Sequence, residues 1–310
     1  MYDDLPSYFN QKYNPFCGSL PDIIAVIAGI KPLTRLSFSR NNKTHCEFVK
    51  FVGRYGVFAA ESQFGEKKKY LPDTGENNLK HLYLSKSKRI LEKYRSGDPD
   101  LEPLETGNPS KSKKIEFQKF AKDLGYPDCC VNNYLKNGQH KTVVSYKNFT
   151  HLNRAPFYMN NFLHSISNFY LSFHLPCSLN CEKTKAYNKK IFGVIHKLEP
   201  EFAKQLKKTL AMPLMVWFNK SALPFDDRVV ALFDGTLAGN VLRYSKCFIL
   251  RTNFPNNKEF PRAGAKNLSY LRTGDKLENT KNEIHIYQGG KLTHVIKKQS
   301  EHEGILFDFN

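Results

Sequence analysis

The chain has 310 residues, of which 40% are hydrophobic and 13% aromatic, so it can bury a core and is not a disordered polymer. Its formal net charge of +18 attracts polyanions, and nucleic acids are the usual partners of such a surplus. The longest apolar run, residues 23–30, is much shorter than the roughly 20 residues of a membrane span, so no membrane association is expected. The acidic start of the chain, residues 1–4, lacks the features of a secretory signal. We therefore predict a cytoplasmic protein with reduced thiols.

The N-terminal part is predicted to combine helices with a strand. A short buried helix is expected from Leu20 to Ile30, with Ser19 as its N-cap and Pro21 in its first turn. Partial alternation of apolar and polar residues from Phe48 to Ala60 predicts a strand with an irregularity at a glycine. Apolar residues spaced among the basic residues of 80–94 predict an amphipathic helix.

The middle of the chain is predicted to be largely helical. Residues 96–112 are rich in Gly, Pro, Asp and Ser and are predicted to be a loop or linker. Ile115 to Leu124 has helical spacing, and residues 125–127 (GYP) should end that helix before residues 129–130 open a further short helix. Residues 168–173 are expected to form a strand that enters a second cysteine motif.

Two more helices are expected between Lys185 and Leu210, divided at Glu199-Pro200, and strands follow from Pro213. The predicted strands are residues 213–218, 228–234, 241–250, 283–289, 291–298 and 304–309, with Gly289-Gly290 as a two-residue hairpin turn. The fold class is therefore α+β, with a helical middle region that carries the cysteine motifs and a β-rich C-terminal part. The predicted divisions are 1–95, the linker 96–112, 113–212 and 213–310, the last of which can pack with the rest as one domain.

Four of the seven cysteines form two close pairs, each of which follows a proline. Cys129 and Cys130 lie in LGYPDCCV, and Cys177 and Cys181 lie in HLPCSLNC. If the fold brings the pairs together, four thiolates converge, which is the ligand set of zinc or of an iron–sulfur cluster. We therefore predict that the pairs are neighbours in space and bind a metal.

The sequence leaves other interpretations of these cysteines open. A helix that begins near Pro176 or Ser178 would stabilise thiolates at its N-terminus, which suits a reactive thiol as well as a metal ligand. Cysteines are also common as small buried residues. If a metal is present, the adjacent pair favours an iron–sulfur cluster over zinc, because neighbouring side chains diverge and the iron atoms of a cluster are spread apart.

His174 stands three residues before Cys177 and is the candidate catalytic residue, as a proton donor beside the site. Its other interpretations are a ligand or a hydrogen-bonded structural residue. The isolated Cys17, Cys46 and Cys247 are expected to be packing residues or exposed thiols.

The two cysteine motifs, together with residues 28–32 (AGIKP), resemble a prokaryotic family catalogued as domain of unknown function 483. The resemblance extends from about Leu20 to about Leu210. Because that family has no established reaction, the resemblance implies a shared cysteine site and no particular substrate.

Three functions compete at this point. The first is an enzyme in which the iron–sulfur or thiolate site acts on RNA or another anionic substrate. The second is a non-enzymatic nucleic-acid-binding module with a structural metal, and the third is an accessory or scaffold protein that uses its β-rich part. The proposed nucleic-acid contacts are the lysines of the 183–208 stretch, in particular Lys189, Lys190, Lys207 and Lys208.

Overall fold

The computed structural model describes most of the chain. The described residues are 20–38, 42–66, 79–95, 110–146, 155–163, 169–218, 228–251, 268–298 and 303–309. Within these ranges, no helix combines the length and the apolar composition that crossing a bilayer requires.

The N-terminal part is a three-stranded antiparallel sheet with helices against it. Its strands lie in the order β1-β3-β2. The elements are α1 (Leu20–Ile27), β1 (Leu33–Phe38), α2 (Asn42–Gly53), β2 (Phe58–Glu66), β3 (Leu79–Ser85) and α3 (Lys88–Arg95).

The first predicted helix is confirmed, but it ends at Ile27 and not at Ile30. Gly29 has a left-handed φ of 71°, which reverses the chain, and the amide of Ile30 then donates to the carbonyl of Ala25. Ser19, the predicted N-cap, lies outside the described residues.

Two N-terminal predictions are wrong in part. Residues 48–60 are not one strand: α2 continues to Gly53, and the strand begins at Phe58. The reason is that Phe48 and Val52 are buried one helical turn apart, which is a helical spacing that the apparent alternation concealed.

Residues 80–94 are likewise not one helix, because β3 occupies the first half and α3 the second. The side chains of His81 to Ser85 are all buried, since β3 is the central strand and is covered on both faces. A strand that is buried on both faces shows no alternation of apolar and polar residues. Its sequence therefore cannot be distinguished from that of a buried helix by periodicity. Ser87 then accepts a hydrogen bond from the amide of Ile90 at the start of α3.

The middle region is helical, as predicted. It contains α4 (Lys111–Asp123), α5 (Asp128–Tyr146), a 3₁₀ turn (Phe157–Met159), α6 (Glu182–Leu198) and α7 (Pro200–Leu210). Residues 110–112 belong to the capped start of α4, with Ser110 as its N-cap, while the remainder of the predicted linker, 96–109, lies outside the described residues.

The helix that Cys129 and Cys130 open is longer than predicted, since it continues to Tyr146. The expected strand at 168–173 is wrong for the described residues 169–173, which have no regular secondary structure. Phe169 to Ser172 are instead buried in succession, so side-chain burial and not strand pairing fixes this segment.

The C-terminal part is a seven-stranded antiparallel sheet in the order β10-β4-β5-β6-β7-β8-β9. Its strands are β4 (Leu214–Phe218), β5 (Arg228–Ala238), β6 (Val241–Arg251), β7 (Lys276–Asn279), β8 (Glu283–Gln288), β9 (Lys291–Lys297) and β10 (Ile305–Phe307). All six predicted strands are present, and β7 was not predicted. Gly289 and Gly290 both have positive φ, as the predicted hairpin turn requires. The α+β fold class is thus confirmed.

One large core joins the helices to this sheet. Leu214 and Val216 of β4 pack with buried residues of α1, α5, α6 and α7, whereas Met215 and Trp217 face a second core on the opposite side of the sheet. This alternation follows from the two-residue period of a strand. Cys130 and Cys181 belong to this core, so the helix ends that carry the cysteines are packed against it.

Candidate metal centre

The two cysteine pairs lie together, as the sequence predicts. The Sγ atoms of all four cysteines are within 4.8 Å of one another. The Sγ of Cys181 is 3.6 Å from that of Cys129 and 3.6 Å from that of Cys130, and the latter two are 3.9 Å apart. Cys130 and Cys181 are buried, while Cys129 and Cys177 are partly exposed.

The start of α5 supplies the first pair. Gly125, with φ 75°, ends the preceding helix, and an added Cβ there would lie 3.2 Å from Cδ of Pro32. The carbonyl of Pro127 then accepts hydrogen bonds from the amides of Cys130 and Val131. Because both cysteines stand in the first turn, their adjacent side chains reach one point, with Sγ atoms 3.9 Å apart, and do not diverge as neighbours in regular structure do.

The loop before α6 supplies the second pair. The helix begins at Glu182 and not near Pro176 or Ser178, so Cys181 is its N-cap and Cys177 lies outside it. A tight turn brings the two together, since the amide of Cys181 donates to the carbonyl of Ser178 at 3.1 Å. The hydroxyl of Tyr146, at the end of α5, donates to the carbonyl of Pro176 and fixes this loop.

The surroundings of the sulfur atoms favour negative charge. Two helix N-termini meet here, each with a partial positive charge. The amide of Cys177 donates to Sγ of Cys130 at 3.3 Å, and the hydroxyl of Thr184 donates to Sγ of Cys181 at 3.4 Å. Thiolates at this position are therefore partly compensated before any cation binds.

The pKa values show that one thiol ionises more readily than its neighbours. Burial opposes ionisation of Cys181, but hydrogen bonds from Thr184 and from neighbouring thiols outweigh it and lower its pKa to about 7. Burial first, and the nearby Cys181 second, raise the pKa of Cys177 to about 12. Burial also raises the pKa of Cys130. Four simultaneous thiolates therefore need a bound cation.

His174 is buried beside this group. Its Nε2 lies 2.9 Å from Oγ1 of Thr184, and its ring lies between those of Tyr126 and Tyr187 at centroid distances of 5.2 and 5.8 Å. Burial, and then the charge of Lys31, lower the pKa of His174 to about 3. The imidazole is therefore neutral at neutral pH, and the catalytic role suggested by the sequence stays a prediction.

The four lysines predicted to contact nucleic acid are exposed on α6 and α7. Nζ of Lys189 lies 5.5 Å from the ring centroid of Tyr158, and Nζ of Lys207 lies 5.7 Å from that of Phe157. Since Phe157 and Tyr158 are adjacent, lysines of both helices converge on one aromatic turn. Lys190 and Lys208 follow directly on the same helices.

Sequence reasoning missed two features near the cysteines. Thr184 touches two of the sulfurs and His174, and its only sequence signal is its position one helical turn after Cys181. Asp22 and Lys31 form a buried ion pair of 2.6 Å, with Lys31 over the ring of Tyr126. Nothing in the charge pattern separates Lys31 from the many surface lysines.

Two further cysteines of the described residues, Cys46 and Cys247, lie apart from this group. Cys46 is exposed, and Cys247 is buried in the second core, where burial raises the pKa of its thiol to about 12. Cys17 lies outside the described residues. The positions of Cys46 and Cys247 agree with their expected roles as a single thiol and a packing residue, and the role of Cys17 stays a prediction.

The arrangement defines an α+β protein with a four-cysteine group that can hold a metal ion. Residues 85–211 match the model of a family described as Protein of unknown function (DUF483), which confirms the resemblance seen in the cysteine motifs. The match contains all four cysteines, His174 and Thr184, but begins later than the expected Leu20. No curated protein and no solved structure matches the chain.

Proposed function

We propose that this protein binds nucleic acid and that its four cysteines hold one structural metal ion, with zinc as the best fit. The proposal rests mainly on the short distances between the four Sγ atoms, which all lie within 4.8 Å of one another. Soft thiolate ligands in a tetrahedral set suit zinc, and each would be a ligand here: Cys129, Cys130, Cys177 and Cys181.

The sulfur spacing supports a single ion over a cluster. A tetrahedral zinc ion with bonds of about 2.3 Å to sulfur sets its ligands about 3.8 Å apart. Three of the six Sγ–Sγ separations are 3.6, 3.6 and 3.9 Å, and all six are within 4.8 Å. An iron–sulfur cluster binds its thiolates through different iron atoms, which spreads them farther apart than one ion does. The short distances between the sulfur atoms therefore support zinc over the iron–sulfur cluster that the adjacent cysteines had favoured.

The completeness of the ligand set supports a structural role. Catalytic zinc sites keep a position open for water or substrate, whereas structural sites are closed by four protein ligands. Here the four cysteines would complete the ligand set, and the ion would tie the start of α5 to the start of α6. This favours the non-enzymatic module over the enzyme.

Nucleic acid is the partner that the charge supports best. Helix α6 presents Cys181 to the metal group at its N-terminus and exposes Lys189 and Lys190 along its length, while α7 adds Lys207 and Lys208. Phe157 and Tyr158 lie beneath two of these lysines. The exposed lysines suit phosphates, and the partly exposed ring of Tyr158 suits an unpaired base, whereas Phe157 is buried in the core.

Metal analysis tests the first half of the proposal. Purified protein should contain one zinc per chain and be colourless. Brown protein with visible charge-transfer absorption, together with several iron and sulfide ions per chain, would instead establish the cluster and reopen the enzymatic function. Protein without bound metal, even after reconstitution with zinc under reducing conditions, would contradict the site.

RNA binding across a salt series tests the second half. The test variant reverses the charge of Lys189, Lys190, Lys207 and Lys208. The control reverses four exposed lysines of the C-terminal part, which makes the same change in net charge: Lys246, Lys281, Lys291 and Lys297.

With single-stranded RNA as the probe, each lost phosphate contact should reduce the salt slope by about 0.7. The helix variant should therefore lose up to about 3 units of slope, and the control should lose much less. Equal weakening in both variants would mean that the overall charge, and not this face, governs binding. No RNA binding by the wild type at low salt would remove nucleic acid from the proposal.

A further inference from the structure

The hydroxyl of Thr184 occupies a central position among the buried groups at the metal site. Its Oγ1 lies 3.3 Å from Sγ of Cys130, 3.4 Å from Sγ of Cys181 and 2.9 Å from Nε2 of His174. Thr184 has no exposed surface. Three polar neighbours thus share one hydroxyl that has a single proton.

The chemistry of these groups fixes the direction of each hydrogen bond. Thiolates bound to a metal carry no proton, so the hydroxyl of Thr184 must donate to sulfur. Its oxygen can then only accept from His174, which requires the proton of the imidazole to lie on Nε2. The other nitrogen, Nδ1, becomes an acceptor, and in the described part of the chain this buried atom has no hydrogen-bond partner.

The position of His174 is itself firmly held. Its side chain packs between the rings of Tyr126 and Tyr187, and its backbone carbonyl accepts a hydrogen bond of 3.1 Å from Nδ2 of Asn161. The imidazole therefore holds the hydroxyl of Thr184 toward the sulfurs and leaves it little freedom to rotate away.

We propose that Thr184 and His174 form a hydrogen-bonded relay that positions Cys130 and Cys181 for the metal ion and reduces electron donation from their thiolates. Both are positioning residues, and neither is a metal ligand. The proposal rests on the metal site described above. It assigns to His174 a role in metal affinity, in place of direct chemistry.

Substitutions that preserve shape test the relay. Thr184→Val removes the hydroxyl at nearly constant volume, and Thr184→Ser keeps it. His174→Phe removes the donor but keeps a ring, and His174→Gln offers an amide N–H near the position of Nε2. Thr209→Val, at a buried threonine of α7 outside the cysteine group, is the control.

The full-length chain is titrated with zinc in competition with a chelator. Loss of an outer hydrogen bond to a metal ligand typically lowers affinity by about 10- to 100-fold. We expect such a loss in Thr184→Val and His174→Phe, smaller losses in Thr184→Ser and His174→Gln, and none in Thr209→Val.

Cobalt supplies a readout that a merely structural role would not change. Without the hydrogen bond, the thiolate donates more electron density, so the sulfur-to-cobalt charge-transfer band of Thr184→Val should move to lower energy. If Thr184→Val does not fold, the His174→Phe and His174→Gln pair gives the same comparison. Unchanged affinity and an unshifted band in the folded variants would overturn the relay. Failure of the wild type to bind either metal would overturn the metal site itself.

Discussion

Replacing Cys181 with serine should remove the metal ion and a large part of the stability of the protein. Structural zinc sites supply about 10–16 kcal/mol of apparent binding free energy, so even a quarter of that amount, about 2.5–4 kcal/mol, is a lower bound on the stabilisation lost with the ion. The new hydroxyl stands where the side chain is buried, which costs about 1–3 kcal/mol more if it finds no partner. The sum is a large share of the roughly 5–15 kcal/mol that stabilises a typical protein.

The assay is calorimetry with metal analysis, each with and without a chelator. At about 2 °C per kcal/mol for a chain of this length, the melting temperature should fall by at least about 5 °C. A chelator should lower the melting temperature of the wild type but leave that of Cys181→Ser unchanged, because the variant has no metal to lose.

Two cysteines outside the group provide matched controls. Cys247→Ser creates a similarly buried hydroxyl in β6. It should lower the free energy of unfolding only by about 1–3 kcal/mol, the cost of burying that hydroxyl, and the metal content should stay constant. Cys46→Ser changes an exposed thiol and should alter neither quantity. The reasoning is refuted if Cys181→Ser retains one metal ion per chain and responds to the chelator as the wild type does.

Three further results are expected. Burial, and then the charge of Arg35, lower the pKa of His81 from 6.5 to about 4, so its stabilising contribution is complete above pH 6.5 and is lost as pH falls through about 4. His81→Gln should therefore flatten the fall in urea midpoint between pH 7 and 4, and an unchanged slope would contradict this. Asp22→Asn leaves Lys31 buried without its charged partner and should lower the free energy of unfolding, measured with urea, by about 3–5 kcal/mol. A decrease below about 1 kcal/mol would show that the ion pair contributes little to stability. Gly125→Ala imposes strain at φ 75° and a contact of 3.2 Å with Pro32, and should lower the free energy of unfolding by about 1–3 kcal/mol. Equal melting temperatures of the variant and the wild type would argue against a fixed turn at this position.

The sequence predicted the features that local patterns encode. Proline before Cys129 and Cys130 marked a helix start, Glu199-Pro200 marked the division between α6 and α7, and Gly289-Gly290 marked a hairpin. Each is decided within a few residues of chain, where backbone sterics and caps dominate.

The errors arose where tertiary burial replaced the local pattern. Residues 81–85 belong to the central strand of a sheet covered on both faces, so they lack the apolar–polar alternation that marks a half-buried strand. Residues 169–172 are buried although they belong to no strand, and no periodic pattern of apolar residues in the sequence predicts this kind of burial.

The convergence of the cysteine pairs could be inferred from the two cysteine motifs, but the distances between the sulfur atoms could not. The separation between sulfurs depends on how α5 and α6 pack, and this separation favours one ion over a cluster. Thr184 could not be identified from the sequence for the same reason. Its role follows from contacts that only the fold creates, with Cys130 on another helix and with His174 in the preceding loop.

X-ray absorption spectroscopy of the purified, metal-loaded protein tests the central claim most directly. One ion held by four cysteines predicts a shell of four sulfur atoms at about 2.3 Å from zinc and no nearby second metal. A metal–metal distance in the spectrum would establish a cluster, and a shell containing nitrogen or oxygen would mean that fewer than four of these cysteines bind; either result would contradict the account.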